Sequence, residues 1–224
     1  MIRTLLPVLT LLLVSHGFAQ AEEKFEKVEV RFEQNATDKD AEMLFEATSA
    51  GAGLATLKVL APGGRTVIDF AAPDSKLGIR HITLESPEPK DPASVQADFP
   101  EGEYTFMGST VTGAKLTGKA TLSHKLPNTP SLVRPRPDEK GVPLKGLQIK
   151  WNSSAKNLAA CVIAIEQEES GQKIQATLPA SATTFAVPDG FLLPKTEYKL
   201  AIGTVSPQGG TSLIETSFTT EGKK

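Results

Sequence analysis

Leu193-Pro194-Lys195-Thr196-Glu197-Tyr198-Lys199-Leu200-Ala201-Ile202 carries the plainest fold signal in the chain. From Tyr198 onward every second side chain is apolar: Tyr198, Leu200 and Ile202. That is the period of a strand with one buried face, because successive side chains point to opposite sides of a sheet. Pro194 has no amide proton to give to a ladder, so the strand starts after it. The same period recurs on either side. Leu147, Ile149 and Trp151 alternate on one strand, with the only Trp of the chain on its apolar side. Leu158-Ala-Ala-Cys-Val-Ile-Ala-Ile165 is a nearly continuous apolar run, and Lys173–Leu178 and Thr183–Val187 follow as strands. Glu215-Thr-Ser-Phe-Thr-Thr220 closes the series with Phe218 inward.

A Leu five residues before a Tyr, a Pro between them and the alternation beyond resemble a tyrosine corner. In that motif a Tyr at the start of a strand hydrogen-bonds back to the backbone of the preceding corner. Trp151, this corner and the closing Phe218 strand, in that order, resemble a fibronectin type III domain over about residues 129–221, under half the chain. The resemblance implies a seven-stranded sandwich with Trp151, Leu193, Tyr198 and Phe218 as structural core. It also implies a spacer or protein-contact module, usually without catalysis. No Arg-Gly-Asp occurs, so integrin binding is not carried over. Core packing, rather than an aromatic binding platform, is the role expected of Trp151 and Tyr198, since aromatics supply large buried area in small β domains.

The first half also reads as strands. Val28, Val30 and Phe32 face one way while Glu29, Arg31 and Glu33 face the other. Further strands are expected at Glu42–Thr48, Leu54–Leu60, Thr66–Ala71, Ile79–Leu84, Ser94–Phe99 and Glu103–Met107, and through Leu116, Ala120 and Leu122. Turn chemistry separates them, as at Ala61-Pro-Gly-Gly64 and Pro100-Glu-Gly102. A helix over Thr37–Thr48, with Ala41, Leu44 and Phe45 as its stripe, is the alternative there. This half has no Trp and no Leu-Pro-x-Thr-x-Tyr corner, so it is not a clean second copy of the later pattern. Gly108, Gly113 and Gly118 mark a hairpin with close backbone approach or bulges. The expected fold is all-β: two immunoglobulin-like β-sandwiches in tandem, residues 22–126 and 129–221. Pro127, Pro130, Pro135, Pro137 and Pro143 crowd residues 127–143, which read as a Pro-stiffened joint and the first edge strand of the second sandwich.

The chain has 224 residues, with 24 Lys+Arg against 26 Asp+Glu. That balance excludes a strongly basic nucleic-acid binder, and a charged fraction of 22% excludes wholesale disorder. Met1–Ala21 reads as a secretory signal peptide, with Arg3, an apolar stretch Leu5–Val14 and small residues that permit cleavage after Ala19 or Ala21. The stretch is shorter than the about 20 residues a bilayer crossing needs, so no membrane span is expected. The mature chain is therefore expected in the periplasm, at the cell surface or in the medium. Cys161 stands alone and can make no internal disulfide, which fits a bacterial exported protein better than a disulfide-stapled animal one. Its apolar surroundings read as those of a small buried hydrophobe. Asn35-Ala-Thr37 and Asn152-Ser-Ser154 match the glycosylation acceptor and are taken as chance matches in that setting.

Most catalytic patterns fail on inspection. Gly113-Ala-Lys-Leu-Thr-Gly-Lys119 is followed by Ala120, where a phosphate-binding loop needs Ser or Thr. No Gly-x-Ser-x-Gly elbow is present. Ser123 and His124 are neighbours on a strand and so point to opposite faces. Glu101 and Glu103 share a face, which more often makes an acidic edge than a glycosidase pair. His81 and His124 have no ligand at zinc spacing. Asp38-Lys39-Asp40-Ala41-Glu42 alternates acids that can present hard oxygens to Ca²⁺, but lacks the Gly and the further carboxylate of an EF-hand. A solvated charged turn is the preferred reading, and no metal, cofactor or catalytic residue is assigned. The expectation is a non-catalytic protein that presents sandwich surfaces to another protein, the cell envelope or a matrix component. The alternative is a carbohydrate-binding module or an accessory domain of a glycan-processing system, which would draw its stacking surface from Tyr104 and scattered Phe residues.

Overall fold

The computed structural model describes residues 22–222. The signal-peptide reading of Met1–Ala21 lies outside them. In chain order the first half has β1 (Glu22–Lys24), β2 (Lys27–Asn35), β3 (Asp40–Thr48), β4 (Leu54–Leu60), β5 (Thr66–Ala71), β6 (His81–Glu85), the helix α1 (Pro92–Asp98), β7 (Gly102–Thr110) and β8 (Lys115–Leu122). The second half has β9 (Ser131–Arg134), β10 (Glu139–Val142), β11 (Gln148–Asn152), β12 (Ala160–Gln167), β13 (Gln172–Pro179), β14 (Thr184–Ala186), β15 (Glu197–Val205) and β16 (Thr211–Thr220). The chain is an all-β protein of immunoglobulin-like sandwiches, and the segment Thr37–Thr48 is the β2–β3 turn and strand rather than a helix.

Each half packs a three-stranded sheet against a larger one. In the second half β14-β11-β9 faces β13-β12-β15-β16. Trp151 and Ile149 on one sheet meet Cys161, Ile163, Leu200 and Ile202 on the other in one hydrophobic cluster. In the first half β6-β3-β2 faces β5-β4-β7-β8, and Phe32, Met43 and Phe45 meet Leu57, Val59, Tyr104 and Phe106. Strand for strand the order is the same. The half without a recognisable sequence signature therefore repeats the architecture of the other.

One expectation is corrected. Ser94–Phe99 is not a strand, because the segment forms α1. Asp91 caps it by accepting from the Ala93 amide at 3.2 Å, and Pro92 stands in the first turn, where its missing N–H has no helical partner to lose. Only Val95 of the helix is buried, so the segment has no apolar stripe at helical spacing to mark it as a helix.

The two sandwiches share a sheet. β16 of the second pairs in parallel with β2 of the first, Thr211 to Glu33 and Leu213 to Asn35, which joins their sheets into one of eight strands. The Ala36 amide donates to the Leu213 carbonyl at 2.8 Å. The Thr37 hydroxyl donates to the Glu215 carbonyl at 3.0 Å and accepts from the Glu215 amide at 2.9 Å. The connecting segment is fastened to the same place, since Thr204 Oγ1 donates to the Asn128 carbonyl and Thr129 meets the Ser212 hydroxyl. Gly210 allows this approach: a Cβ there would stand 2.6 Å from the Lys125 carbonyl oxygen.

Candidate functional site

Tyr198 is fully buried and builds a corner. Its hydroxyl accepts from the Leu193 amide at 2.8 Å and donates to the Phe191 carbonyl at 3.4 Å. Trp151 and Phe218 are also buried, and Phe218 stacks on the Tyr198 ring at 5.6 Å. Leu193 is corrected from the expected core set. It is 48% exposed, because the corner uses its backbone amide and turns its side chain outward, while Leu192 fills the core. Tyr104 is corrected as a stacking surface. It is 0% exposed, and its hydroxyl donates to the Pro100 carbonyl at 3.1 Å in a second corner at the start of β7. Burial pushes its phenol up to about 12. Among the described residues the large hydrophobics that stand exposed are Leu77, Val133 and Leu193, none of them aromatic.

The residues screened for catalysis are occupied elsewhere. Ser123 donates its hydroxyl to Glu101 at 3.1 Å, and the His124 ring meets the Phe99 carbonyl at 2.8 Å. Backbone donation from His124, with the Ser123 hydroxyl, holds the Glu101 carboxyl below its ordinary value. His81 lies between Thr48 and Thr83. Cys161 is buried, and desolvation pushes its thiol up, away from the thiolate. Gly113 sits in the β7–β8 turn with φ +90°, so the phosphate-loop look-alike is a hairpin.

The acids at 38–42 meet residues far away in the chain. Asp38, Asp40 and Glu42 line a pocket of about 160 Å³ with Glu33, Asn35, Glu88, Leu213 and Glu215. The alternation of β2 and β3 creates it. Apolar Val30, Phe32, Met43 and Phe45 turn into the core, so Glu33 and Glu42, direct cross-strand partners, share the other face. Like charges placed opposite each other in this way are destabilising. Burial, then repulsion from Glu33, Glu88 and Glu85, pushes the Glu42 carboxyl up to about 8, with Arg31 opposing. Burial also raises Glu33 and Glu215, with repulsion from Glu85, Glu88 and Glu215 on the first and Asp38 and Glu88 on the second. Glu33, Glu88 and Glu215 carry no local signal in the sequence. Glu33 was legible only as an outward residue of a strand, and Glu215 arrives through the β2–β16 pairing.

Beside this pocket runs a larger cleft of about 500 Å³. Lys27, Glu29, Arg31 and Glu33 of β2 form one wall, and small side chains of β12 and β15, among them Ala160, Val162, Ala201 and Gly203, line the other. Lys27 and Arg31 are tied to Glu29 and Glu46 at 2.9–3.5 Å, so this wall is a paired charge network.

No protein-family model matches the chain, and no curated protein matches it. Solved structures similar to it include the fibronectin(III)-like modules of CbhA from Clostridium thermocellum, at 8% identity and a TM-score of 0.36 over 92% of this chain and 93% of that one. A two-domain fibronectin type III segment of chicken tenascin is 14% identical, with a TM-score of 0.33 over 88% of this chain and 100% of that one. A tetra-tandem repeat from the extending region of a large adhesion protein is 11% identical, with a TM-score of 0.31 over 87% of this chain and 50% of that one.

Proposed function

We propose that the chain is an exported, non-catalytic binding or structural module that presents the outward face of its joined sheet to a protein or cell-envelope partner. The observation that carries this reading is the cleft at the seam, whose walls come from both sandwiches. The wall of Ala, Val and Gly lets a partner's backbone come close, and the charged wall on β2 supplies orientation. β13 is an edge of the joined sheet, with Lys173, Gln175 and Thr177 exposed beside the cleft, so an extended segment has a free ladder to join. The hydrogen bonds that engage Ser123 and His124 and the burial of Cys161 support the non-catalytic part, and the composition of Met1–Ala21 supports export.

The test is site-specific photo-crosslinking in the envelope or medium fraction of the source cells. A crosslinker at Thr177 or Lys173 is expected to capture one discrete partner that a crosslinker at Leu77, exposed on a loop outside the cleft, does not. No adduct from either cleft position, or the same adducts from Leu77, overturns the reading.

A further inference from the structure

We propose that the acidic pocket at the seam is a proton-operated latch between the two sandwiches: protonated, it lets β2 and β16 stay paired, and deprotonated, its carboxylates repel across the seam and let it open. The proposal does not rest on the binding-module reading. Six carboxylates line the pocket, Glu33, Asp38, Asp40, Glu42, Glu88 and Glu215, with no Lys, Arg or His among them. Five come from the first sandwich, and Glu215 comes from β16 of the second. Glu33 and Glu42 stand directly opposite on β2 and β3, and Glu33 is also the ladder partner of Thr211 across the seam. Like charges in that arrangement are destabilising. Among the described residues no group of three or more His, Cys, Asp or Glu side chains stands in metal-holding geometry, so a proton is the species left to relieve the crowding.

The cations nearest the pocket are committed elsewhere. Arg31 faces Glu33 and Glu42 but is tied to Glu29 at 2.9 Å and to Glu46 at 3.5 Å. Lys199 faces Glu215 from β15 but is paired with Glu168. On the acidic side, Glu85 and Glu88 face Glu42 from β6 and the segment after it, and Asp38 faces Glu215 from the β2–β3 turn. Burial first, then this repulsion, raises Glu33, Glu42 and Glu215 alike. Glu42 Oε2 is buried with no partner. A protonated carboxyl gains an O–H that can donate, and its ionisable neighbours in the pocket are all acceptors. The seam is also built to part before either core does. The two hydrophobic clusters share no residue: one runs from Phe25 to Leu126 and the other from Leu132 to Phe218. Leu126 packs on the first cluster, and the Asn128 carbonyl accepts from Thr204 in the second sandwich, which leaves Pro127 as the joint. Glu33, Leu213 and Glu215 line both the pocket and the neighbouring cleft, so opening the seam parts the cleft's walls.

The test is hydrogen exchange of the purified chain between about pH 5 and about pH 9, with each rate divided by the unstructured rate at the same pH. The Ala36 and Glu215 amides report the seam, since they donate across it to the Leu213 carbonyl and the Thr37 hydroxyl. The β7–β8 and β12–β15 amides report the two cores. The seam amides are expected to be at least about tenfold less protected than both cores throughout. Their protection is expected to fall at least about tenfold from the acid to the alkaline end. Glu42→Gln, which keeps the shape and cannot ionise, is expected to remove most of that fall, and Glu215→Gln part of it from the other side of the seam. Glu103→Gln, in an exposed pair with Lys119, is expected to leave the fall as in wild type. Glu215→Gln decides the matter if Glu42→Gln does not fold. Seam protection that does not change with pH overturns the proposal. So does seam protection equal to that of the cores, because the seam then opens only when the fold does, or a wild-type fall in Glu42→Gln.

Discussion

Two tyrosines do the same work at equivalent places in the two sandwiches. Phe99-Pro-Glu-Gly-Glu-Tyr104 and Leu193-Pro-Lys-Thr-Glu-Tyr198 each put a Pro four residues before the Tyr and an apolar residue before that Pro. In both, the hydroxyl bonds to the backbone of the corner it follows. Tyr104→Phe and Tyr198→Phe should each cost about 0.5–1.5 kcal/mol, the worth of a typical hydrogen bond. Trp151→Ala should cost about 3–5 kcal/mol as a full core truncation, and Leu193→Ala should stay within about 0.5 kcal/mol because the side chain faces solvent. Urea unfolding at equilibrium measures all four, and a Leu193→Ala cost equal to that of Trp151→Ala would contradict the corner geometry. The second corner was legible from the sequence because it carries the Leu-Pro-x-Thr-x-Tyr spelling. The first has the same geometry without that spelling, because the corner does not require the Thr. Gly102, at φ +134°, stands in its place.

At the scale of elements, period-two alternation located most of the strands, because each has one face on a core and one on water. It failed at α1, where a single buried Val95 leaves no face to read. It was silent on the β2–β16 seam, since backbone pairing between distant strands leaves no mark on side-chain pattern. The acidic pocket was half visible for that reason: Asp38, Asp40 and Glu42 are adjacent in sequence, but Glu215 joins them only through the seam. Thr37 is the seam's most exposed side-chain link, bonding both the amide and the carbonyl of Glu215. Thr37→Val keeps the shape and removes both bonds, with an expected cost of about 1–2 kcal/mol. Hydrogen exchange should accelerate at Ala36 and at 211–215 while the β12–β15 amides stay protected. Unchanged exchange at the seam would show that the ladder does not depend on Thr37.

Over the whole molecule the seam carries a pH dependence of definite sign. Glu42 is raised from 4.5 to about 8 by burial, then by Glu33, Glu88 and Glu85, against Arg31. Its folded form holds a proton that its unfolded form releases near 4.5. Its contribution to stability is therefore complete below that value and is lost as pH rises toward about 8. Glu33 and Glu215 are shifted in the same direction and add to the loss. Tm should fall between those limits and the Glu42→Gln profile should be flatter. A Tm that climbs with pH over that window would reverse the assignment. The pairing of Thr37 with Glu215 spans 178 positions of chain. During vectorial synthesis the first sandwich can close on itself early, since domains fold as units in order of emergence. The outer edge of β2 then waits for β16, the last of the described strands to emerge. An unpaired edge is an invitation to another molecule. The alternating Lys27, Glu29, Arg31 and Glu33 beside that edge thus guard a nascent intermediate as well as line a finished cleft.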